Sequence, residues 1–228
     1  MQKTLCLDHP PVDEETLFRQ LRIPPDTEPE DRERLREMLR GAAAVAYPKA
    51  VYALCPVGHK APGQVEIGGR IIRSELVSRN LANANRVVAY VATCGVELEA
   101  WSQQYAGDLL EEYWADGIKL LYLGRIRQAL TEEVRRAYFP TGDLSVMSPG
   151  SLPQWPLTEQ RVLFSLLDGV TQATGVQLTG TCLMLPSKSV SGFFFSAETH
   201  YENCRLCPMP DCPGRRAPYQ PGEADTAR

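Results

Sequence analysis

This 228-residue chain has no apolar run long enough to cross a bilayer. Its longest such stretch, VVAYVATCGV at 87–96, falls well short of the ~20 residues a spanning helix needs. The opening MQKTLCLDHPPVDEETLF holds no apolar signal core ahead of its acidic run. Positive charge is not in excess either. With 24 Lys and Arg against 28 Asp and Glu, the net charge is −4 and the pI near 5.5. That balance argues against nucleic acid or an anionic membrane surface as the main partner. There is no internal repeat and no low-complexity tract. The phosphate-binding loop, G-x-G-x-x-G, G-x-S-x-G and H-E-x-x-H are all missing, so a self-contained kinase or hydrolase is not indicated. These absences point to a cytoplasmic protein in a reducing compartment, with neither membrane nor nucleic acid as partner.

Cysteine, by contrast, is present and clustered. Three of the seven cysteines fall within nine residues in CRLCPMPDCPGRR, at 204–216. In a reducing compartment such clusters are metal or redox groups more often than disulfides. Cys204, Cys207 and Cys212 form C-x2-C-x4-C, a spacing that lets two thiolates converge while the third folds back. Proline follows both Cys207 and Cys212, stiffening the loop and removing a backbone donor; a Cys-Pro step also occurs in ferredoxin-type ligation. Zinc and cubane clusters both want four ligands, and the run supplies three. Cys94, Cys182, Cys55 and His200 are candidates for the fourth. Cys94 is favoured because VATCG places it where a buried strand gives way to a glycine turn. An iron–sulfur cluster of 4Fe-4S type is the preferred occupant and zinc the alternative. Cys6 reads as a lone thiol on a frayed terminus, and His59 as a solvated loop residue.

Hydrophobic periodicity organises the rest. Helices are expected over 13–22, 28–46, 74–84, 96–105, about 107–138 and about 157–173. Strands are expected in AVYALCPV, RVVAYVAT, VQLTGTCLML and SVSGFFFS, and VEIGGRIIRS reads as a hairpin turning at Gly68-Gly69. FPTGDLSVMSPGSLPQWP reads as a turn-rich loop. Gly117 and Gly124 weaken the long helix by about 1 kcal/mol each and suggest close packing. Helices mixed with strands, without regular βαβ alternation, make the fold class α+β. The expected organisation is an N-terminal region at 1–69, a main domain at 70–200, a cysteine-rich segment at 201–219 and a disordered tail at 220–228. Within the acidic cluster on the long helix, Asp116 is the best placed for a partly buried role. Small residues before the phenylalanines of SVSGFFFS, notably Ser191 and Gly192, would allow a ligand or another backbone to approach closely.

One family resemblance ties these pieces together. SPGSLPQWPLTEQ followed by LLDGVTQATGVQLTGTCLMLPSKSVSGFFFS resembles the reactivation, S-adenosylmethionine-binding, domain of cobalamin-dependent methionine synthase in a stand-alone form. The matching pattern runs from about 147 to 196 and is compatible back to about residue 70. The resemblance implies a helmet-shaped α+β fold with a twisted antiparallel sheet. It also implies a corrinoid protein as partner, methionine synthase or another, whose cob(II)alamin is repaired by reductive methylation. The family's S-adenosylmethionine motif carries an arginine, two residues, then proline-glycine-tyrosine. Pro149 and Gly150 match it, whereas Val146 stands at the arginine and Ser151 at the tyrosine. Valine cannot grip a carboxylate as a guanidinium does. Lys188 and Arg161 are the cations expected to substitute. The implied cofactor-binding residues are Pro149, Gly150, Ser151, Ser191, Gly192 and Asp116. A cluster on the cysteines would serve as an electron relay, since iron–sulfur potentials extend to roughly −700 mV. The rival expectation is a non-catalytic corrinoid-protein partner with a structural zinc site.

Overall fold

The structure, a computed structural model, describes residues 1–197, 201–209, 211, 215 and 217–220. Seven strands form one antiparallel sheet in the order β4-β3-β2-β5-β9-β6, with β1 also paired to β2. Their ranges are β1 Gln2–Cys6, β2 Lys49–Ala61, β3 Gln64–Ile67, β4 Arg70–Arg73, β5 Arg86–Thr93, β6 Asp143–Met147 and β9 Ser189–Ala197. A separate two-stranded piece pairs β7, Gln177–Leu178, with β8, Met184–Leu185. The main sheet draws strands from both sides of residue 70.

Both faces of the sheet are covered, because β5 alternates two apolar sets. Val88, Tyr90, Ala92 and Cys94 join one core, with α1 (Glu14–Leu21), α2 (Pro29–Ala43), α4 (Val96–Ser102) and α5 (Leu109–Tyr138). Val87, Ala89 and Val91 join the other, with α3 (Glu75–Asn80), α6 (Gln160–Phe164) and α7 (Val170–Thr174). The period-two pleat sends Phe194 to the first core and Phe193 and Phe195 to the second. On the second face Trp155 stacks on Phe193, ring centres 5.2 Å apart.

The long helix forms as its periodicity predicts, capped by the Asp108 carboxylate, which accepts from the backbone amides of Leu110 and Glu111. Its two glycines differ. A Cβ on Gly117 would collide with the Leu21 side chain of α1, so that residue permits the helix–helix approach; one on Gly124 would meet open space. The Gly68-Gly69 turn closes the β3–β4 hairpin as expected, both residues having positive φ.

Five expectations are corrected. Residues 2–6 are not a frayed end but an edge strand, paired from Gln2↔Ala53 to Cys6↔Lys49. DLSVM is not loop but β6, whose apolar alternation is too short to stand out between turn residues. The expected helix over 157–173 breaks into a 3-10 turn (Leu157–Glu159), α6 and α7, because Gly169 adopts a left-handed conformation before α7. VQLTGTCLML keeps only the ends of a strand, and Cys182 turns at φ 66° between β7 and β8. His59 lies on β2, exposed to solvent.

Candidate functional site

The sheet register builds the site. β6 and β9 run antiparallel with Met147 opposite Phe193, so the chain leaving β6 at 148–151 lies beside the start of β9. The loop is closed by its own backbone: the Gly150 amide donates to the Trp155 carbonyl at 2.8 Å, and the Ser151 amide to that of Ser148 at 3.4 Å. Gly150 has φ 77°, a conformation suited to glycine. Between this loop, β8 and β9 is an open cleft of about 430 Å³. Pro149, Gly150, Ser151 and Ser191 all line it, joined by Gln160, Cys182, Ser187 and Ser189. Segments forty residues apart thus meet.

Ser191 is the most informative of these residues. It is only 2% exposed and its hydroxyl has no hydrogen-bond partner. Buried hydroxyls are normally satisfied, so an orphan lining a cleft marks a place for a ligand atom or ordered water. Ser189 is already engaged: its hydroxyl donates toward the Pro186 carbonyl at 2.7 Å and lies 2.9 Å from that of Thr93. Gly192 plays a different part. A Cβ there would collide with the Met147 carbonyl and stand 2.9 Å from the Ser148 hydroxyl, so the approach it permits is that of the β6 backbone. Ser187 and Gln160 were missed in the sequence, and Cys182 was read there as a metal-ligand candidate, although serines at 187, 189 and 191 carry a period-two signal.

The expected substitute cations are occupied elsewhere. Arg161 donates from Nε to Cys182 Sγ at 3.0 Å and from Nη2 to the Gly180 carbonyl at 2.6 Å. Lys188 pairs with Asp116 at 2.7 Å, tying the start of β9 to α5. Asp116 itself is absent from the cleft lining, half exposed, and also 4.0 Å from Lys119. Val146 pairs with Phe194 and packs toward the core on the helix α5 side.

The cysteines divide. Cys204 and Cys207 are partly exposed, while Cys212, His200 and Arg216 lie outside the described residues. Leu206, between the first two, is buried in the second core. Arg215 gathers this segment: its guanidinium donates to the carbonyls of Cys204 (2.9 Å), Cys207 (2.9 Å), Ala217 (3.0 Å) and Met209. The Gln220 amide donates to the Arg205 carbonyl, closing the loop.

Cys94 is not among them. Val88, Phe194, Val146 and Glu202 form one row across the sheet, and Cys94, just past the end of β5, stands six residues beyond Val88, on the order of 20 Å away. It sits in the opposite core, where burial first and the Glu99 carboxylate second push its thiol up to about 12. Among the described residues no three His, Cys, Asp or Glu side chains are grouped to hold a metal. Cys94 thus lies in the core opposite Leu206, apart from Cys204 and Cys207. Cys55 is also buried, and burial raises its pKa.

With this geometry in place, the chain can be set beside known proteins. The activation-domain model of vitamin B12-dependent methionine synthase matches residues 148–205, from the cleft loop through β9 to the start of the cysteine segment. A crystal structure of the MetH reactivation domain bound to AdoHcy matches with a TM-score of 0.66 and 18% identity, over 89% of this chain and 80% of that one. The fold is that of the reactivation domain. The resemblance read from residues 147–196 is borne out, and so is the α+β class with its antiparallel sheet and long helix. No curated protein matches the chain significantly. Among the described residues no helix is long and apolar enough to cross a membrane.

Proposed function

We propose that this chain is a reactivation factor for a corrinoid-dependent methyltransferase, with cobalamin-dependent methionine synthase the favoured partner. The observation that carries this reading is the cleft between residues 148–151 and β9, with the buried, unpartnered Ser191 hydroxyl on its wall. The cleft occurs in the segment matched by the activation-domain model, and the related crystal structure is of a domain with AdoHcy. S-adenosylmethionine is accordingly the proposed ligand, and its chemistry is donation of a methyl group to cobalt.

The overall reaction is reductive methylation. One external electron reduces cob(II)alamin, and the sulfonium methyl passes to the cobalt, leaving S-adenosylhomocysteine. This chain's residues hold the donor: Gly192 lets the loop close on β9, the Gly150–Trp155 backbone bond closes the loop on itself, and Ser191 offers a polar contact. For the electron, Cys204, Cys207 and Cys212 are proposed to bind a 4Fe-4S cluster, with the fourth position taken by solvent or a residue outside the described set. The motif spacing supports this, as does the convergence of Cys204 and Cys207 carbonyls on Arg215.

Purification without oxygen, followed by absorbance and metal analysis, tests the relay. A brown protein with about four irons is expected. A colourless chain holding one zinc would sink the relay and leave docking as the function. Calorimetry with S-adenosylmethionine tests the cleft; no binding by folded protein would remove the cofactor reading.

A further inference from the structure

The cleft is mostly apolar with several serines, and among the described residues it carries no charge of its own, which bears on which part of a ligand it holds. Resting on the S-adenosylmethionine reading, we propose that the cleft recognises the nucleoside-thioether end of its ligand and makes no ion pair with the amino-acid end. A 5′-thioether nucleoside lacking that end is then a ligand of this chain in its own right.

Among the described residues the lining holds serines, one glutamine, Cys182 and apolar side chains, with no Asp, Glu, Lys, Arg or His. The two cations that the sequence offers as substitutes are both committed. Arg161 is bound to Cys182 Sγ and the Gly180 carbonyl, and Lys188 is drawn to Asp116 on α5 at 2.7 Å. Freeing Lys188 for a ligand carboxylate would leave Asp116 with only Lys119, 4.0 Å away. The neutral features are better suited to a nucleoside. Leu157, Leu183 and Leu185 offer apolar surface for a flat base, and Leu183 and Leu185 are more than half exposed, open to contact. The Ser191 hydroxyl supplies a buried polar partner of the kind a ribose or ring nitrogen satisfies. An amino-acid tail would then lie in the open mouth, where its charges stay hydrated.

The magnitude of an ion pair makes this testable. Losing a charged hydrogen-bond partner costs about 10- to 150-fold in affinity. Calorimetry on the full chain would compare S-adenosylhomocysteine with 5′-methylthioadenosine. The proposal expects dissociation constants within about fivefold of one another, and Ser191→Ala weakening both alike. S-adenosylhomocysteine binding more than about 50-fold tighter overturns it. So does Lys188→Met weakening S-adenosylhomocysteine alone, which would name the missing cation. Binding of neither compound removes this proposal together with the cofactor reading, whereas tight S-adenosylhomocysteine without the truncated nucleoside removes this proposal only.

Discussion

Gly192 of β9 lies directly beneath the carbonyl of Met147, with no room between them for a side chain. The two residues belong to neighbouring strands, and the contact seats the 148–151 loop at the cleft. Gly192→Ala is expected to cost about 1–3 kcal/mol, since either strand must shift to admit the methyl group. Ligand binding should fall with it, because the displaced loop forms one wall. Urea unfolding together with calorimetry checks both; an unchanged midpoint would show that the strands can part freely.

Ser191 predicts the opposite combination. Its hydroxyl has no partner to lose, so Ser191→Ala should leave stability unchanged or raise it by up to about 1 kcal/mol. Ligand affinity should drop by roughly tenfold, the worth of one hydrogen bond. Loss of stability without loss of affinity would make Ser191 a structural residue.

Cys94 gives a pH signature. Its thiol ionises near 9.0 when unfolded but only at about 12 in the fold. Between those values the folded state keeps a proton that the unfolded chain has lost, so stability falls as pH rises through that window. The slope from this group approaches 1.4 kcal/mol per pH unit. Cys94→Ala should flatten the decline relative to wild type in denaturant titrations at pH 8 to 11. It should also leave metal content untouched, whereas Cys204→Ser and Cys207→Ser should reduce it.

Arg215 is expected to matter for metal loading through geometry as well as charge. A planar guanidinium reaches four carbonyls in the cysteine segment, which a lysine ammonium does not match. Both Arg215→Gln and Arg215→Lys should therefore lower iron or zinc per chain after anaerobic purification, with the thermal midpoint little changed. Full loading in the lysine variant would reduce the role to charge alone.

The amino-acid sequence by itself determined the elements whose signals are local. The long helix follows from its apolar period, the β3–β4 hairpin from Gly68-Gly69, and the central β5 strand from RVVAYVAT. The loop at 148–151 and the small residues before Phe193 were also legible, as was the family pattern that joins them. Short edge strands were not: β1 and β6 gain their order from hydrogen bonds to β2 and β9, which no window of five residues reveals. Partnership was likewise a tertiary matter. The approach at Gly192 turned out to be that of the β6 backbone, Lys188 was committed to Asp116, and Cys94 was carried away from the cysteine segment. A residue's type and spacing declare what chemistry it can perform. Strand register and the face on which a side chain emerges decide which other residues it can meet, because a strand advances about 3.3 Å per residue and alternates faces at every step.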